Sequence, residues 1–375
     1  MKNAVVVGAG IVGLSVARAL SLKGYSVTIV ERSEQAVGAS IRNFGMIWPI
    51  GQPSGELLDR ANRTKTIWKG IADSTGLWYN ESGSLHAAYQ EDEWIVLQEL
   101  YEIFKAEGRF VELLNKSQII DRFNAVNSHE LIGGLFSSAE MIIDPRVGIK
   151  TVAIYLTEFL NVQFKWGQAV VGVETGKVFV GNEEIHTDLV FICSGADFET
   201  LYPVLFASKS ITKCKLQMMR FKSANDHFNI GTSLCGGLSL IHYNSFKAAP
   251  SLESLKKRYE AELSTYIKHG IHVMVSQNNF GELTVGDSHE YGLTFDPFDS
   301  TYINELIVAY LNQFINTSDW KLIQSWNGIY PKMTNGDNKL IENPEKDVYI
   351  VNGVGGDGMT MSFGLGEEVI NELKL

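Results

Sequence analysis

Cysteine is nearly absent from this sequence. Three cysteines, Cys193, Cys214 and Cys235, are scattered through 375 residues, and none belongs to a CxxC pair. So small and odd a number excludes a disulfide scaffold, and no Cys/His cluster has zinc-site spacing, so no metal is expected. Buried free thiols and a reducing compartment, the cytoplasm, are the expectation. A positive surplus is lacking too. The 32 Lys and Arg are outnumbered by 43 Asp and Glu, for a formal net charge of −11. That balance excludes a nucleic-acid binder built on a basic stripe. An anionic small molecule would need a local cationic pocket to overcome the global field. Long apolar runs are missing as well. None approaches the roughly 18 residues of a membrane span. The first apolar stretch, Ala4 to Val7, runs straight into a glycine loop and has no signal-peptide character.

What is present is a soluble, globular composition, 45% hydrophobic and 20% charged. The length suits about two domains and a sizeable core. Lys2 to Val7 reads as a buried parallel strand. The loop Gly8-Ala9-Gly10-Ile11-Val12-Gly13 follows, then a helical period to Leu22, a terminating Gly24 and a second strand, Tyr25 to Val30, ending at Glu31. Such a loop has a physical job. Gly8 permits the tight turn, Gly10 lets the backbone approach a pyrophosphate, and Gly13 lets the helix pack on the strand. The helix N-terminus offers free N–H groups to phosphates, and Glu31 stands where a carboxylate accepts from ribose hydroxyls. A lone glycine string is weak, but strand, helix and acid are here in register, so a dinucleotide is expected.

Further along, Gly38 to Pro53 has no clear period and reads as an extended loop. Helices are expected at Leu57 to Ala72, Glu91 to Glu107, Pro145 to about Leu160, Leu252 to Lys268 and Tyr302 to Phe314. Strands are expected at Gly83 to Ala88, Gln163 to Val173, Asp188 to Cys193, Ile271 to Ser276, Leu283 to Gly286 and Val348 to Val351. The last runs into a second glycine cluster, Gly353 to Gly358, and a final helix. A plain helix cap would explain that cluster. A second helix N-terminus aimed at a flavin pyrimidine oxygen, which gains negative charge on reduction, explains it better. Together with Arg32 and Gly38-Ala39-Ser40 after the acid, it favours FAD over a nicotinamide cofactor.

These motifs, with Ile192-Cys193-Ser194-Gly195 at a strand end, occur in the order found in the D-amino-acid oxidase, glycine oxidase and sarcosine oxidase family, which the chain resembles along nearly its whole length. More narrowly, it looks like a subgroup associated with bacterial phosphonate catabolism. The strings that suggest this are Ile41 to Pro53, Gly83-Ser84-Leu85-His86, Lys215 to Arg220, Gly270 to Gln277 and Gly286-Asp287-Ser288-His289-Glu290-Tyr291-Gly292. The resemblance implies an α/β Rossmann-type FAD-binding domain, of residues 1–80, 141–214 and 323–375. Interleaved with it would be an α+β substrate domain, of residues 81–140 and 215–322, on a mixed, largely antiparallel sheet. It implies that Ser40, Asn43, Phe44, Gly45 and Met46 line the flavin, that Val170 or Val171 meets the adenine through backbone groups, and that Ser194, Gly195, Gly355, Gly356, Gly358, Met359 and Thr360 lie near the cofactor. Some relatives attach flavin to a Cys before the last strand. Trp326 to Met333 has none, so FAD is expected to be non-covalent. The family also often carries an Arg there for a substrate carboxylate. Tyr330-Pro331-Lys332 stands in its place, which argues against an ordinary α-amino acid.

The expected substrate is therefore a small anionic amine, an aminophosphonate such as 2-aminoethylphosphonate or its N-methyl form, with O2 or an electron carrier as the second partner. Flavin chemistry asks little of side chains. His289, His272 and Glu290 are candidates to bind the amine or tune its proton, although a structural hydrogen bond is the commoner fate of such residues. Arg220, Lys332 and Arg42 are candidates for the anion, each equally readable as a surface cation. Trp48, Tyr243, Phe246 and Tyr330 would wall the pocket, unless they are plain core. Two other readings stay open. One is an amino- or hydroxy-acid dehydrogenase feeding a quinone or carrier, and the other is a flavin-binding scaffold or partner subunit without turnover. A homo-oligomer is compatible with all three.

Overall fold

A computed structural model describes residues 2–374. The opening strand Asn3–Val7 lies in the middle of a six-stranded sheet. In spatial order the strands are Leu340–Glu345, Val348–Asn352, Leu189–Ile192, Asn3–Val7, Ser26–Glu31 and Gln163–Trp166. All neighbours are parallel except the first pair. Val5 faces Val190 on one side and Thr28 on the other. Helices Ile11–Leu22, Pro145–Leu160 and Gly358–Glu372 pack over one face, with Val6, Leu14, Ile29, Phe191 and Phe363 in one buried cluster. The other face is covered by a three-stranded antiparallel layer, Val170–Glu174, Lys177–Val180 and Glu183–His186. Its Val178 and Val180 pack on Val5, Val30 and Ile192. Burial on both faces is why these strands read as uninterrupted apolar runs.

The second large sheet is antiparallel apart from one pair, Ser84–Ala88 with Ser233–Cys235. Its spine is two long strands, Ile211–Ser223 and Trp320–Met333, paired along their whole length. The domain boundaries expected at 214/215 and 322/323 fall inside these strands, so the chain passes between the two sheets without a linker. Helices Glu91–Ala106, Leu252–Glu262 and Thr301–Phe314 cover this sheet, burying Leu97, Phe104, Leu255, Tyr259, Ile307 and Phe314.

The expected helix over Leu252 to Lys268 is two helices, broken at Leu263. The expected strand over Ile271 to Ser276 is shorter, Met274–Gln277. The aperiodic Gly38 to Pro53 stretch is two short 3-10 turns around a two-residue strand, Met46–Ile47. Among the described residues, no helix is long and apolar enough to cross a membrane.

Candidate active site

The first glycine loop has the contacts its sequence demands. Gly8 has φ +102°, and a Cβ there would meet the Cys193 carbonyl oxygen at 2.6 Å. A Cβ on Gly13 would stand 2.0 Å from the Gly8 oxygen, so helix and strand touch at that point. The Ile11 N–H donates to Ser40 Oγ at 2.9 Å, which ties the loop to the segment after Glu31. Glu31 accepts from the N–H of Ala9 at 2.9 Å and of Ser33 at 3.0 Å, placing its carboxylate beside the loop. No acid occupies the first helical turn, so the helix N-terminus stays attractive to phosphate.

The second glycine cluster is tied to the first half of the sheet by Asn352. Its side chain donates to the Gly195 oxygen at 3.0 Å and accepts from the Gly353 N–H at 2.7 Å. Between the two loops runs a cleft of about 1510 Å³ that continues into the second sheet. It exceeds the roughly 300–1,000 Å³ of an ordinary small-molecule pocket, enough for a dinucleotide and a second molecule. Gly195 and Gly355 line it, and a Cβ on either would meet nothing within 4 Å. The wall there is bare backbone, open to the cleft.

The family model described as FAD dependent oxidoreductase (DAO) matches residues 3–372. The chain belongs to that family. FAD is its cofactor, and the cradle just described fits it. Among sequence relatives, glycine oxidase of Pseudomonas aeruginosa is 27% identical over 247 residues, 60% of this chain and 64% of that protein. The tRNA 5-methylaminomethyl-2-thiouridine biosynthesis bifunctional protein MnmC of Burkholderia ambifaria is 25% identical over 141 residues, 36% of this chain and 21% of that protein. The matches thus span less than two thirds of either relative. Among solved structures, glycine oxidase from Geobacillus kaustophilus superposes with a TM-score of 0.78 at 17% identity, over 100% of this chain and 95% of that one. L-proline dehydrogenase from P. horikoshii does so with 0.80 at 20% identity, over 99% and 93%. At these identities the likeness establishes the fold.

Many of the residues expected at the FAD line the cleft: Gly8, Gly10, Ile11, Val12, Glu31, Arg32, Ser40, Asn43, Phe44, Val170, Ser194, Gly195, Gly355, Gly356, Gly358 and Met359. Others do not. Gly13 sits beneath the loop, as the packing argument requires. Gly45 and Met46 turn away, since Gly45 is pressed on the Ile143 carbonyl and Met46 pairs with Ile142. Val170 is buried on the cleft, and Val171 sits at a bulge in its strand with an exposed side chain, which leaves its backbone groups the part that could meet an adenine. Thr360 is buried behind the loop, its hydroxyl accepting the Trp48 N–H at 3.0 Å.

The substrate half also needs corrections. Arg220 is not on the cleft. It is buried under the long strand pair, stacked on Trp326 at 4.8 Å and 3.6 Å from Glu282, which is itself bridged by Arg146 to Asp144. Glu290 is exposed on the outer edge of the sheet. Trp48 and Phe246 are core, behind Tyr243. Tyr243, Tyr330, Lys332, Arg42, His272 and His289 do line the cleft. The Lys332 ammonium bonds to the Tyr291 hydroxyl at 3.2 Å and, among the described residues, has no carboxylate within 4 Å.

Two residues went unnoticed in the sequence, His242 and Asp287. Asp287 lies in the string that also supplies His289, and His242 precedes Tyr243. Their importance comes from assembly. His242 and His272 stack with ring centres 3.7 Å apart, and His289 lies 5.1 and 5.2 Å from them. The ring nitrogens fall within 4.8 Å of one another, near enough for a metal. The closest pair of rings is tilted by 31°, and the charge of the neighbouring Lys332 opposes a metal cation there. Burial lowers His272 and His289, the latter to about 4, and the charge of Lys332 works in the same direction. His289 Nδ1 faces the Gly270 carbonyl at 2.8 Å, leaving Nε2 toward Asp287. Burial raises the Asp287 carboxyl well above its ordinary range.

Proposed function

We infer that this enzyme oxidises the C–N bond of a small amine bearing an anionic group, an aminophosphonate such as 2-aminoethylphosphonate or its N-methyl form. One observation carries the reading. Among the charged groups that line the cleft are Lys332, whose ammonium bonds to the Tyr291 hydroxyl, and the buried carboxyl group of Asp287, and the two do not pair with each other. Opposite charges left apart suit a molecule that brings both. Tyr330, in place of an arginine fork, offers no bidentate grip for a carboxylate, whereas a lysine is a sound point-charge partner for a phosphonate.

Bound FAD supplies the hydride acceptor, and the protein supplies position. Lys332 anchors the anion. Tyr243 and Tyr330, both with hydroxyls held neutral by burial, flank the amine end. Asp287 and His272 lie where an ammonium proton must be handled. The resulting imine would hydrolyse to aldehyde and ammonia, or methylamine for the N-methyl form, with O2 taking the electrons as H2O2. The test is anaerobic mixing of holoenzyme with millimolar 2-aminoethylphosphonate. Bleaching of the flavin is expected. Bleaching by glycine or a D-amino acid instead would sink the aminophosphonate reading.

A further inference from the structure

Asp287 is 5% exposed, and its Oδ1 has no hydrogen-bond partner. His272 is 4% exposed, and neither of its ring nitrogens has one. The two residues are neighbours across the chain turn. His272 N–H donates to the Asp287 carbonyl at 3.3 Å, and Asp287 N–H to the His272 carbonyl at 2.9 Å. Their side chains then meet, Nε2 lying 3.1 Å from Oδ1 but out of line for a hydrogen bond. Buried polar atoms are ordinarily paired, and a wall of unpaired ones facing a cleft calls for a ligand.

We propose that Asp287 and His272 form a proton-transfer pair driven by a zwitterionic substrate. When the substrate seats, one proton passes from Asp287 Oδ1 to His272 Nε2. A carboxylate then meets the ammonium, and an imidazolium meets the anion. This deepens the aminophosphonate reading and rests on it.

The physical reason is a balance of two terms. Without substrate, burial penalises charge on both groups, so the carboxyl holds its proton and the ring stays neutral. A seated zwitterion reverses this, because each of its charges stabilises one member of the charged pair. Lys332, His242, His289 and Tyr243 surround the pair. Lys332 adds fixed positive charge for the anion, and the crowding of His242 and His289 limits the cluster to a single imidazolium. The transfer balances without the medium: carboxylic acid plus imidazole become carboxylate plus imidazolium. The carboxylate next accepts one ammonium proton, so R–CH2–NH3+ becomes R–CH2–NH2. Its nitrogen lone pair then forms the C=N bond as hydrogen leaves carbon with its electron pair, to oxidised flavin. A ligand with one charge drives only half of this switch.

The experiment uses holoenzyme labelled with 15N-histidine, with the His272 signals assigned from His272→Gln. The probe is (2-amino-2-methylpropyl)phosphonate, a zwitterion with no hydrogen on the amine-bearing carbon. His272 should move from the neutral to the imidazolium range at saturation, and the infrared band of a protonated buried carboxyl should vanish. Methylphosphonate and tert-butylamine should each leave both signals in place. Calorimetry in buffers of different ionisation enthalpy should show no net proton exchange for the native enzyme, and proton uptake for Asp287→Asn. A His272 that stays neutral in the saturated native enzyme overturns the pair, with no variant required. Flavin bleaching by 2-aminoethylphosphonate, run in parallel, tests the substrate reading by itself. Bleaching with a neutral His272 rejects the pair alone.

Discussion

Replacing Lys332 by methionine keeps the stem's bulk and removes the charge. Lys332 is half-buried on the strand Trp320–Met333 and makes no ion pair among the described residues. Its loss should therefore cost the fold little, beyond the bond to Tyr291. For ligand binding the cost is larger. Two unit charges 4 Å apart at an effective dielectric near 20 interact by about 4 kcal/mol. A phosphonate carries up to two charges, but solvent in the open cleft and desolvation on binding take back much of the gain. Truncating one partner of a partly buried pair typically costs 2–5 kcal/mol. About 3 kcal/mol, roughly a hundredfold, is the expected weakening. The assay is stopped-flow flavin reduction with 2-aminoethylphosphonate, fitted for the dissociation constant and the limiting rate. The constant should rise about a hundredfold while the limiting rate changes by less than about threefold, because the anchor acts equally in ground and transition states. FAD content should not change. A dissociation constant within about threefold of the native value would refute the argument that Lys332 holds the anion.

Arg220→Met should do the opposite. It breaks a buried network with Glu282 and Gln324, so stability should fall by about 3 kcal/mol in urea unfolding while the substrate constant holds. Gly13→Val should yield colourless protein or none, since a Cβ there stands 2.0 Å from the Gly8 oxygen. Gly70→Ala, on the helix Glu56–Thr75 away from the cleft and with nothing within 4 Å, should keep its full flavin absorbance. His86 is buried with both ring nitrogens unpartnered, and burial holds it down to about 3. Its folded pKa is depressed, so the unfolded chain binds more protons between about 3 and 6.5, and stability falls as pH drops through that window. Between about pH 7.5 and pH 5, His86→Leu should lose about 2 kcal/mol less than the native protein in denaturant melts. Acid precipitation should release all the flavin to the supernatant if no covalent bond holds it.

How much of this was legible in the sequence differs between the two halves of the cleft. The cofactor half was legible because it is local. Gly8 to Gly13, Glu31 and Gly353 to Gly358 work through backbone conformation and strand-end position, which a short stretch of chain fixes by itself. The difference there was one of facing. Met46 sits in the right segment, but its two-residue pairing with the strand Met141–Ile143 buries it away from the cleft. The substrate half was legible only in part. Arg220 and Lys332 lie on two strands paired with each other, and both read as available cations. Pairing with Glu282 removed one, a contact between residues 62 positions apart in the chain.

The sequence alone determined that a dinucleotide lies on a βαβ unit, because glycine spacing dictates where backbone can approach phosphate. It also showed that Tyr330-Pro331-Lys332 contains no arginine, in the stretch where the family resemblance leads one to expect a carboxylate-binding one. Tertiary structure decided everything that depends on distance between segments. His242, from a short turn, reaches His272 and His289, and Asp287 meets His272 only because the strands Met274–Gln277 and Glu282–Gly286 pair and bring their flanks together. A charge or a ring takes its chemistry from its neighbours and its burial, and those are set by packing.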